Sequence, residues 1–290
     1  RLATVTAVHR AFHWLHLHQP QLRQWQLAML RIPAPPFGEA ARAAWFLDRF
    51  HDLGLANPHI DSAGNALAIL PVAPTSANRP PDPSERNSAS ALQDRNCHPE
   101  RSEGPAFASP SWSSESQPLI LISAHLDTVF PPGTPTNPSE DEARILAPGA
   151  CDNAAGLSAL LALAAALRYA ELSPAVPILF AANVGEEGEG DLRGMRHLFT
   201  ESPYAPRIAA ALALEGGGSN AVVTRALASR RFRITVHGPG GHSWNDAGAP
   251  NPILVLARAL LALESLDLPH STPRTTLNLG PIAGGTSINA

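Results

Sequence analysis

The order of apolar and polar positions along the chain predicts alternating strands and helices. Apolar runs of strand length occupy residues 119–123, 176–182 and 208–214, and helical patterns lie between them at about 153–170 and 195–201. This alternation is typical of an α/β domain, with helices flanking a largely parallel, mixed sheet. In such sheets, ligand sites form beyond the carboxyl ends of the strands.

The first part of the chain predicts further elements and one irregular segment. Residues 23–55 have helical patterns with a Pro-rich break at 32–38, and Gly54 is expected to end the second helix. Residues 60–70 predict two strands around a Gly-Asn turn. Residues 73–117 are dominated by Pro, Ser, Asn, Arg and Glu, which predicts a disordered insertion within a hairpin.

The pattern changes again near residue 229. Residues 231–237 alternate as a half-exposed strand, residues 252–266 predict an amphipathic helix, and a second strand is expected at 275–279. We therefore expect two domains, a larger one over 1–228 and a smaller α+β domain over 229–290.

Composition narrows the classes of partner. Of the 290 residues, 44% are hydrophobic and 16% charged, which is enough apolar content for a large core. The net charge of −4 gives no electrostatic reason to expect nucleic acid or an anionic membrane surface. The longest apolar run, 154–167, is shorter than the ~20 residues that span a bilayer, and no secretory signal is visible. We expect a cytoplasmic protein.

Four short motifs carry the candidate chemistry. They combine one histidine with several carboxylates, and three of them directly follow strand-like apolar runs. Imidazole and carboxylate are ligands that suit Zn²⁺, Co²⁺ or Mn²⁺. The pattern indicates a two-metal hydrolytic centre built from His125-Leu126-Asp127, Gly149-Ala150-Cys151-Asp152-Asn153, Gly185-Glu186-Glu187-Gly188 and Leu214-Glu215-Gly216-Gly217.

Taken singly, several motifs have simpler interpretations. Alone, His125 with Asp127 is more typical of a strand end with a capping carboxylate, and Asp152 is a preferred helix N-cap. Adjacent Glu186 and Glu187 could form a solvated acidic loop, although two neighbouring like charges favour a compensating cation. Glu215 ends an apolar strand, where an unpaired carboxylate would be unfavourable.

Two further Gly-rich motifs complete a family resemblance. Gly240-Gly241-His242-Ser243 alone is typical of a hairpin loop, and the G-x-S-x-G pattern of serine hydrolases fails around Ser243. In order, however, the motifs resemble those of the M20 family of metallopeptidases. The matching segments are Ser123-Ala124-His125-Leu126-Asp127-Thr128-Val129, Gly149-Ala150-Cys151-Asp152-Asn153-Ala154-Ala155-Gly156, Gly185-Glu186-Glu187-Gly188, Gly240-Gly241-His242-Ser243 and Gly284-Gly285-Thr286-Ser287-Ile288-Asn289.

The resemblance implies a zinc-peptidase-like domain with a lid or dimerisation domain, and a role for each motif residue. Asp152 would bridge two Zn²⁺ ions, for which Co²⁺ or Mn²⁺ could substitute. His125 and Glu215 would complete one metal site, and Glu187 would bind the second ion. Glu186 would be the general base.

Three further roles follow from the same resemblance. Asp127 would orient the metal-binding imidazole, His242 would donate a hydrogen bond to the oxyanion, and Asn289 would bind the substrate carboxylate. In the family's dimers the His242 donor often comes from the partner subunit, so we expect a homodimer of the full-length protein. The family's last ligand, a C-terminal histidine, has no counterpart before Ala290, so we expect a C-terminally truncated chain.

Two classes of function remain open from the sequence. The resemblance implies hydrolysis of short peptides, or of N-acyl amino acids by an enzyme with the same metal ligands. The alternative is a protein without enzyme activity, namely a truncated fragment that retains the fold.

Overall fold

The protein is described by a computed structural model that covers residues 5–72, 117–218, 220–270 and 274–289. These residues divide into a larger unit, up to residue 218, and a smaller unit from residue 220 onward. The predicted disordered insertion lies outside the described residues except for Gln117. The predicted domain boundary at 228/229 stays a prediction.

The larger unit contains seven strands and five α-helices in its described part. The strands are β1 (Ala56–Ile60), β2 (Ala66–Leu70), β3 (Leu119–His125), β4 (Ser139–Glu140), β5 (Ile145–Leu146), β6 (Ile178–Asn183) and β7 (Ile208–Ala213). The helices are α1 (Thr6–Leu17), α2 (Gln19–Leu30), α3 (Ala40–Asp52), α4 (Ala154–Tyr169) and α5 (Arg193–Thr200).

Five of these strands form one mixed sheet in the order β1-β2-β6-β3-β7. β3 pairs in parallel with both β6 and β7, whereas β2 pairs antiparallel with β1 and β6. Helices flank this sheet, which confirms the predicted α/β architecture. β4 and β5 form a separate two-stranded hairpin.

The main core lies between the sheet and the helices, because apolar residues repeat at helical spacing on α3 and α4. Phe46 and Phe50 of α3 are fully buried, as are Leu157 and Leu160 of α4. The alanines of α4 are small, so the helix packs closely on β3 and β6. This packing fixes the ends of the central strands.

Most predicted elements of the larger unit are found within a few residues of their expected bounds. α3 ends just before Gly54, whose φ of +64° is easily adopted by glycine. α1 was not predicted. The hairpin placed around residues 73–117 is wrong, because β2 and β3 do not pair with each other and β6 lies between them.

In its described part, the smaller unit contains one helix, α6 (Pro252–Glu264), as the sequence predicts. Asn251 caps α6 by accepting the backbone N–H of Ile253 at 2.9 Å. The two strands predicted at 231–237 and 275–279 are wrong: the described residues there are irregular and largely exposed. An alternating pattern forms a strand only where a neighbouring strand completes the hydrogen-bond ladder.

Within the described ranges, no helix has the length and apolar character required to cross a membrane.

Candidate metal centre

The candidate site forms where three parallel strands end side by side. His125 is the last residue of β3, which lies between β6 and β7. Glu186 follows β6 by three residues, and Glu215 follows β7 by two. Because parallel strands share one carboxyl edge, the sheet delivers all three side chains to one place.

His125 lies at the centre of the cluster and is only 2% exposed. Its Nδ1–H donates to the backbone carbonyl of Asp127 at 3.0 Å, since a carbonyl can only accept. Its Nε2 lies 2.9 Å from Oδ1 of Asp152 and 3.6 Å from Oε2 of Glu215. The ring therefore contacts carboxylates from two different loops through one nitrogen.

Asp152 is free for this contact because its neighbour caps α4. The Asn153 side chain accepts the backbone N–H of Gly156 at 3.0 Å and donates to the carbonyl of Leu214 at 2.9 Å. A Cβ on Gly156 would lie 2.1 Å from Asn153 Oδ1 and 2.4 Å from the Leu214 carbonyl oxygen, so only glycine fits. Asn153 thus links the loop that bears Asp152 to the one that bears Glu215.

Glu215 is more exposed than the apolar sequence before it suggests. β7 is an edge strand whose described residues after Ile208 are exposed, and the Glu215 side chain is 54% exposed. The burial of this carboxylate expected from the sequence is therefore wrong. What links Glu215 to the site is its distance to His125.

Asp127 is fully buried, and its carboxylate holds the loop that bears Glu186 and Glu187, which we call the acidic loop. Oδ1 accepts the backbone N–H of Glu186 at 3.0 Å, and Oδ2 accepts that of Glu187 at 2.8 Å. Its Oδ1 lies 3.6 Å from His125 Nδ1. Burial alone would raise the pKa of Asp127, but the contact with His125 and the two backbone N–H groups lower it.

Glu186 and Glu187 are half-buried carboxylates at the mouth of the site. Burial raises the pKa of Glu186, and the charges of Glu215, Asp127 and Asp152 raise it further against the opposing effect of His125. Burial likewise raises the pKa of Glu187, with Glu186 as the next cause. At both positions, burial and the neighbouring carboxylates together outweigh the opposing effect of His125 on the pKa.

The donor atoms form two overlapping groups that fit a cation. In each group the ligand atoms lie within 4.8 Å of one another: His125 with Asp152 and Glu215, and His125 with Glu186 and Glu187. Burial lowers the pKa of His125, but Asp127 and Glu215 outweigh burial and raise it to about 11. Of these surrounding carboxylates, Asp152 and Glu215 lie at Nε2, where a divalent ion would supply the positive charge that they favour.

Two buried charged residues beside the site, Glu39 and Arg42, were not predicted from the sequence. Glu39 is 2% exposed, accepts the backbone N–H of Gly185 at 3.1 Å, and binds the Arg193 guanidinium through both oxygens at 2.9 and 2.8 Å. Arg42 is also buried and donates to the Leu126 carbonyl at 2.7 Å. The only available signal was a pair of charged residues at the start of an apolar helix.

The smaller unit places its two candidate residues in one local structure. His242 is exposed, and its Nδ1 accepts the backbone N–H groups of Trp244 at 3.2 Å and Asn245 at 3.4 Å. In a neutral ring the proton then lies on Nε2. The backbone carbonyl of Asn289 accepts the N–H of Ser243 at 3.0 Å, so the two Gly-rich motifs are adjacent within this unit.

Two models of known protein families match parts of the chain. Residues 109–234 match the model of Peptidase family M28, and residues 228–290 match the model of the peptidase dimerisation domain. The chain is thus similar to a peptidase domain over residues 109–234 and to a peptidase dimerisation domain over residues 228–290. The two matches, in this order, are consistent with the M20-type resemblance predicted from the motifs.

Two curated relatives are fungal proteins. Probable carboxypeptidases of Aspergillus clavatus and Emericella nidulans are each 31% identical to the chain, over 206 and 205 residues. The matches cover 63% of this chain but only 44% and 47% of the relatives. The chain thus spans less than half the length of these relatives.

Solved structures agree on the fold. A tripeptidase of Staphylococcus aureus, 18% identical, covers 92% of this chain and 62% of its own, with a TM-score of 0.52. The dipeptidase Dug1p of Saccharomyces cerevisiae, 14% identical, covers 89% of this chain and 53% of its own, with a TM-score of 0.54. At these identities the likeness shows the fold alone, and the predicted zinc-peptidase-like fold is confirmed.

Proposed function

We propose that the protein hydrolyses an amide bond of a short peptide, using two divalent metal ions and Glu186 as the general base. The observation that carries this proposal is the cluster of His125, Asp152 and Glu215, whose ligand atoms lie within 4.8 Å of one another, with Glu186 and Glu187 close to the same imidazole. His125, Asp152 and Glu215 would hold one ion. Glu187 would hold the second, with Asp152 between the two.

The donor set suits Zn²⁺, with Co²⁺ or Mn²⁺ as alternatives, since it consists of imidazole and carboxylates. Such ions, when bound, polarise the scissile carbonyl and make a water molecule more acidic. Everything else in the reaction depends on the chain's own side chains.

Glu186 is suited to proton transfer by its environment. The pKa of Glu186 is raised. It therefore lies closer to the pKa values of the water and the leaving amine than the pKa of an exposed glutamate does, which favours proton transfer. It would take a proton from water and deliver it to the leaving amine. Asp127 holds the backbone at Glu186 and Glu187, so the two carboxylates keep their separate directions.

His242 and Asn289 would contact the substrate from the smaller unit. Because Nδ1 of His242 accepts hydrogen bonds, Nε2–H is available to donate to an oxyanion. Asn289 would bind the substrate's carboxylate. We place His242 in the site of a partner subunit, so the full-length protein would be a homodimer.

The names of similar proteins support peptides as substrates, since they describe carboxypeptidases, a tripeptidase and a dipeptidase. A panel of dipeptides, tripeptides and N-acyl amino acids, assayed with Zn²⁺, Co²⁺ and Mn²⁺, tests this choice. Cleavage of peptides alone supports the proposal. Cleavage of N-acyl amino acids alone would make the protein a deacylase, and inactivity on every substrate with metal bound would indicate an inactive fragment.

The assignment of His242 to a partner subunit has its own test. Mixing full-length His242→Ala with full-length Glu186→Gln should restore part of the activity, because mixed dimers contain one complete site. A purified mixed dimer without activity would contradict the assignment.

The cytoplasmic location expected from the sequence stays a prediction.

A further inference from the structure

The α1 helix carries a row of histidines that lies outside the candidate metal centre. His9, His13 and His16 follow one another at spacings of four and three residues, and all three are exposed. At about 100° per residue, the three positions fall within roughly 60° of the helix circumference. We call these three residues the histidine row.

The opposite face of α1 anchors the helix. Trp14 is 8% exposed and packs against Ala165 and Ala166 of α4. Trp14 is turned roughly 100–160° away from the histidine row. The row therefore projects from a helix that is held in place from behind.

Two neighbouring side chains show that the row is a separate feature. Arg10 turns toward the end of α4, where it donates to the Tyr169 carbonyl at 3.2 Å and lies 3.8 Å from Glu171. His18 stacks on Trp14 at 4.2 Å and donates from Nδ1 to the Trp14 carbonyl at 2.8 Å, so it belongs to the packed face. Four of the chain's 12 histidines lie between residues 9 and 18, yet only the row shares the solvent face.

We propose that the histidine row binds one divalent transition-metal ion, of which Zn²⁺, Ni²⁺ and Cu²⁺ are the chemical candidates. Two histidines four residues apart on one helix face can chelate a single ion. His13 has a histidine four residues before it and another three residues after it, so it is the shared ligand. His9 and His16 are about 10.5 Å apart along the axis, which makes pairing with His13 the effective arrangement.

The ion at this site has open coordination positions. Two imidazoles supply only half of a tetrahedral shell, and water or a donor from another molecule completes it. This differs from the candidate metal centre, where carboxylates predominate. The inference stands on α1 alone and is independent of the proposed peptidase activity.

Equilibrium dialysis of the protein against Zn²⁺ at pH 7.5 tests the proposal, with bound zinc counted per chain. An Asp152→Ala background removes a ligand of the candidate metal centre and simplifies the count. In either background, His13→Ala and His13→Gln should each lose one equivalent of zinc. His9→Ala and His16→Ala should weaken binding less, because a chelating pair remains in each.

His51→Ala is the matched control, because His51 is an exposed helical histidine without another histidine three or four residues away. It should bind as much zinc as the parent. Thermal melts with a chelator present should show His13→Ala as stable as the parent, since alanine favours helix. Equal zinc in His13→Ala and the parent, or an equal loss in His51→Ala, would overturn the proposal.

Discussion

The carboxylate of Asp127 accepts the backbone N–H of Glu187 at 2.8 Å, and this contact joins the end of β3, which bears His125, to the acidic loop. The family resemblance implies that Asp127 orients the imidazole of His125. In the structure, the backbone carbonyl of Asp127 accepts the imidazole N–H at 3.0 Å, while the carboxylate holds the acidic loop. One residue therefore positions both the proposed ligand His125 and the proposed base Glu186.

The first prediction concerns this carboxylate. Asp127→Asn keeps the size of the side chain but turns one acceptor into a donor that faces a backbone N–H. A buried donor left without an acceptor costs about 1–3 kcal/mol, so the free energy of unfolding should fall by that amount, and turnover should fall with it. Denaturant titration measures the first effect and a peptide assay the second.

The matched control for that variant is Asp141→Asn. The Asp141 carboxylate also accepts two backbone N–H groups, from Ala143 and Arg144 at 2.8 Å each, but in an exposed turn. Both bonds go to Oδ1 of Asp141, which an asparagine keeps, and the turn is exposed, so the change in stability should be less than half as large. Equal losses in the two variants would show that the loss in Asp127→Asn does not come from a buried donor that faces a backbone N–H.

The second prediction concerns the base. Glu186→Gln should leave the zinc content and the melting temperature close to those of the parent, while kcat falls by roughly 10²–10⁴ because an amide cannot accept a proton from water. Glu189→Gln, in the same acidic loop, is the control and should keep its activity. Unchanged kcat in Glu186→Gln would remove Glu186 from the mechanism.

The third prediction concerns pH. Without metal, the pKa of His125 is raised to about 11, so its proton competes with zinc well above neutral pH. Zinc affinity should therefore keep rising between pH 7 and 8.5, by up to about tenfold per pH unit. An imidazole with an ordinary pKa near 6.5 would give a plateau in that range.

Competition titrations against a chelator of known affinity, repeated across that pH range, measure how zinc affinity changes with pH.

The raised pKa of His125 also makes folding stability depend on pH. Because the folded pKa is raised, the stability that protonated His125 gives the metal-free protein is complete below pH ~6.5 and is lost as pH rises toward 11. A zinc affinity that is flat above pH 7 would contradict the arrangement of charges around His125.

The fourth prediction concerns the ion pair behind the acidic loop. Glu39→Gln leaves the Arg193 guanidinium without its carboxylate and should reduce the free energy of unfolding by roughly 2–3 kcal/mol, less than for a fully buried pair because Arg193 is 29% exposed. We also expect a lower kcat at unchanged zinc content, since Glu39 holds the Gly185 backbone.

Arg196→Gln controls for general effects on α5. Arg196 pairs with Asp191 at 3.3 Å, but both side chains are more than 60% exposed. Exposed pairs contribute little, so its effect should stay within about 1 kcal/mol. A similar loss in both variants would indicate that α5 is generally fragile rather than held through Glu39.

Much of the fold could be predicted because local pattern and tertiary structure agree in the larger unit. The apolar runs around β3 and β6, and the periodic alanines and leucines of α4, indicate buried elements whatever their neighbours are. Strand order could not be derived, because the pairing of β2 with β6 depends on contacts far apart in sequence. The same limitation explains the two strands wrongly predicted in the smaller unit.

The residues of the candidate site that belong to sequence motifs could be predicted. His125, Asp152 and Glu215 lie together because their strands and loops end at one sheet edge, which sequence order alone suggests. Glu39 and Arg193 are 154 residues apart and carry no motif, so their contact could be found only in three dimensions. Local sequence patterns do not predict contacts between charged residues that are far apart in the sequence.

The most direct test of the account is the location of bound zinc. Crystals of the protein soaked with Zn²⁺ and measured at the zinc absorption edge should show an anomalous peak about 2.0–2.2 Å from His125 Nε2. Carboxylate oxygens of Asp152 and Glu215 should lie at similar distances from that peak. A protein that binds zinc elsewhere, but shows no peak between His125, Asp152 and Glu215 at full soaking, would contradict the account.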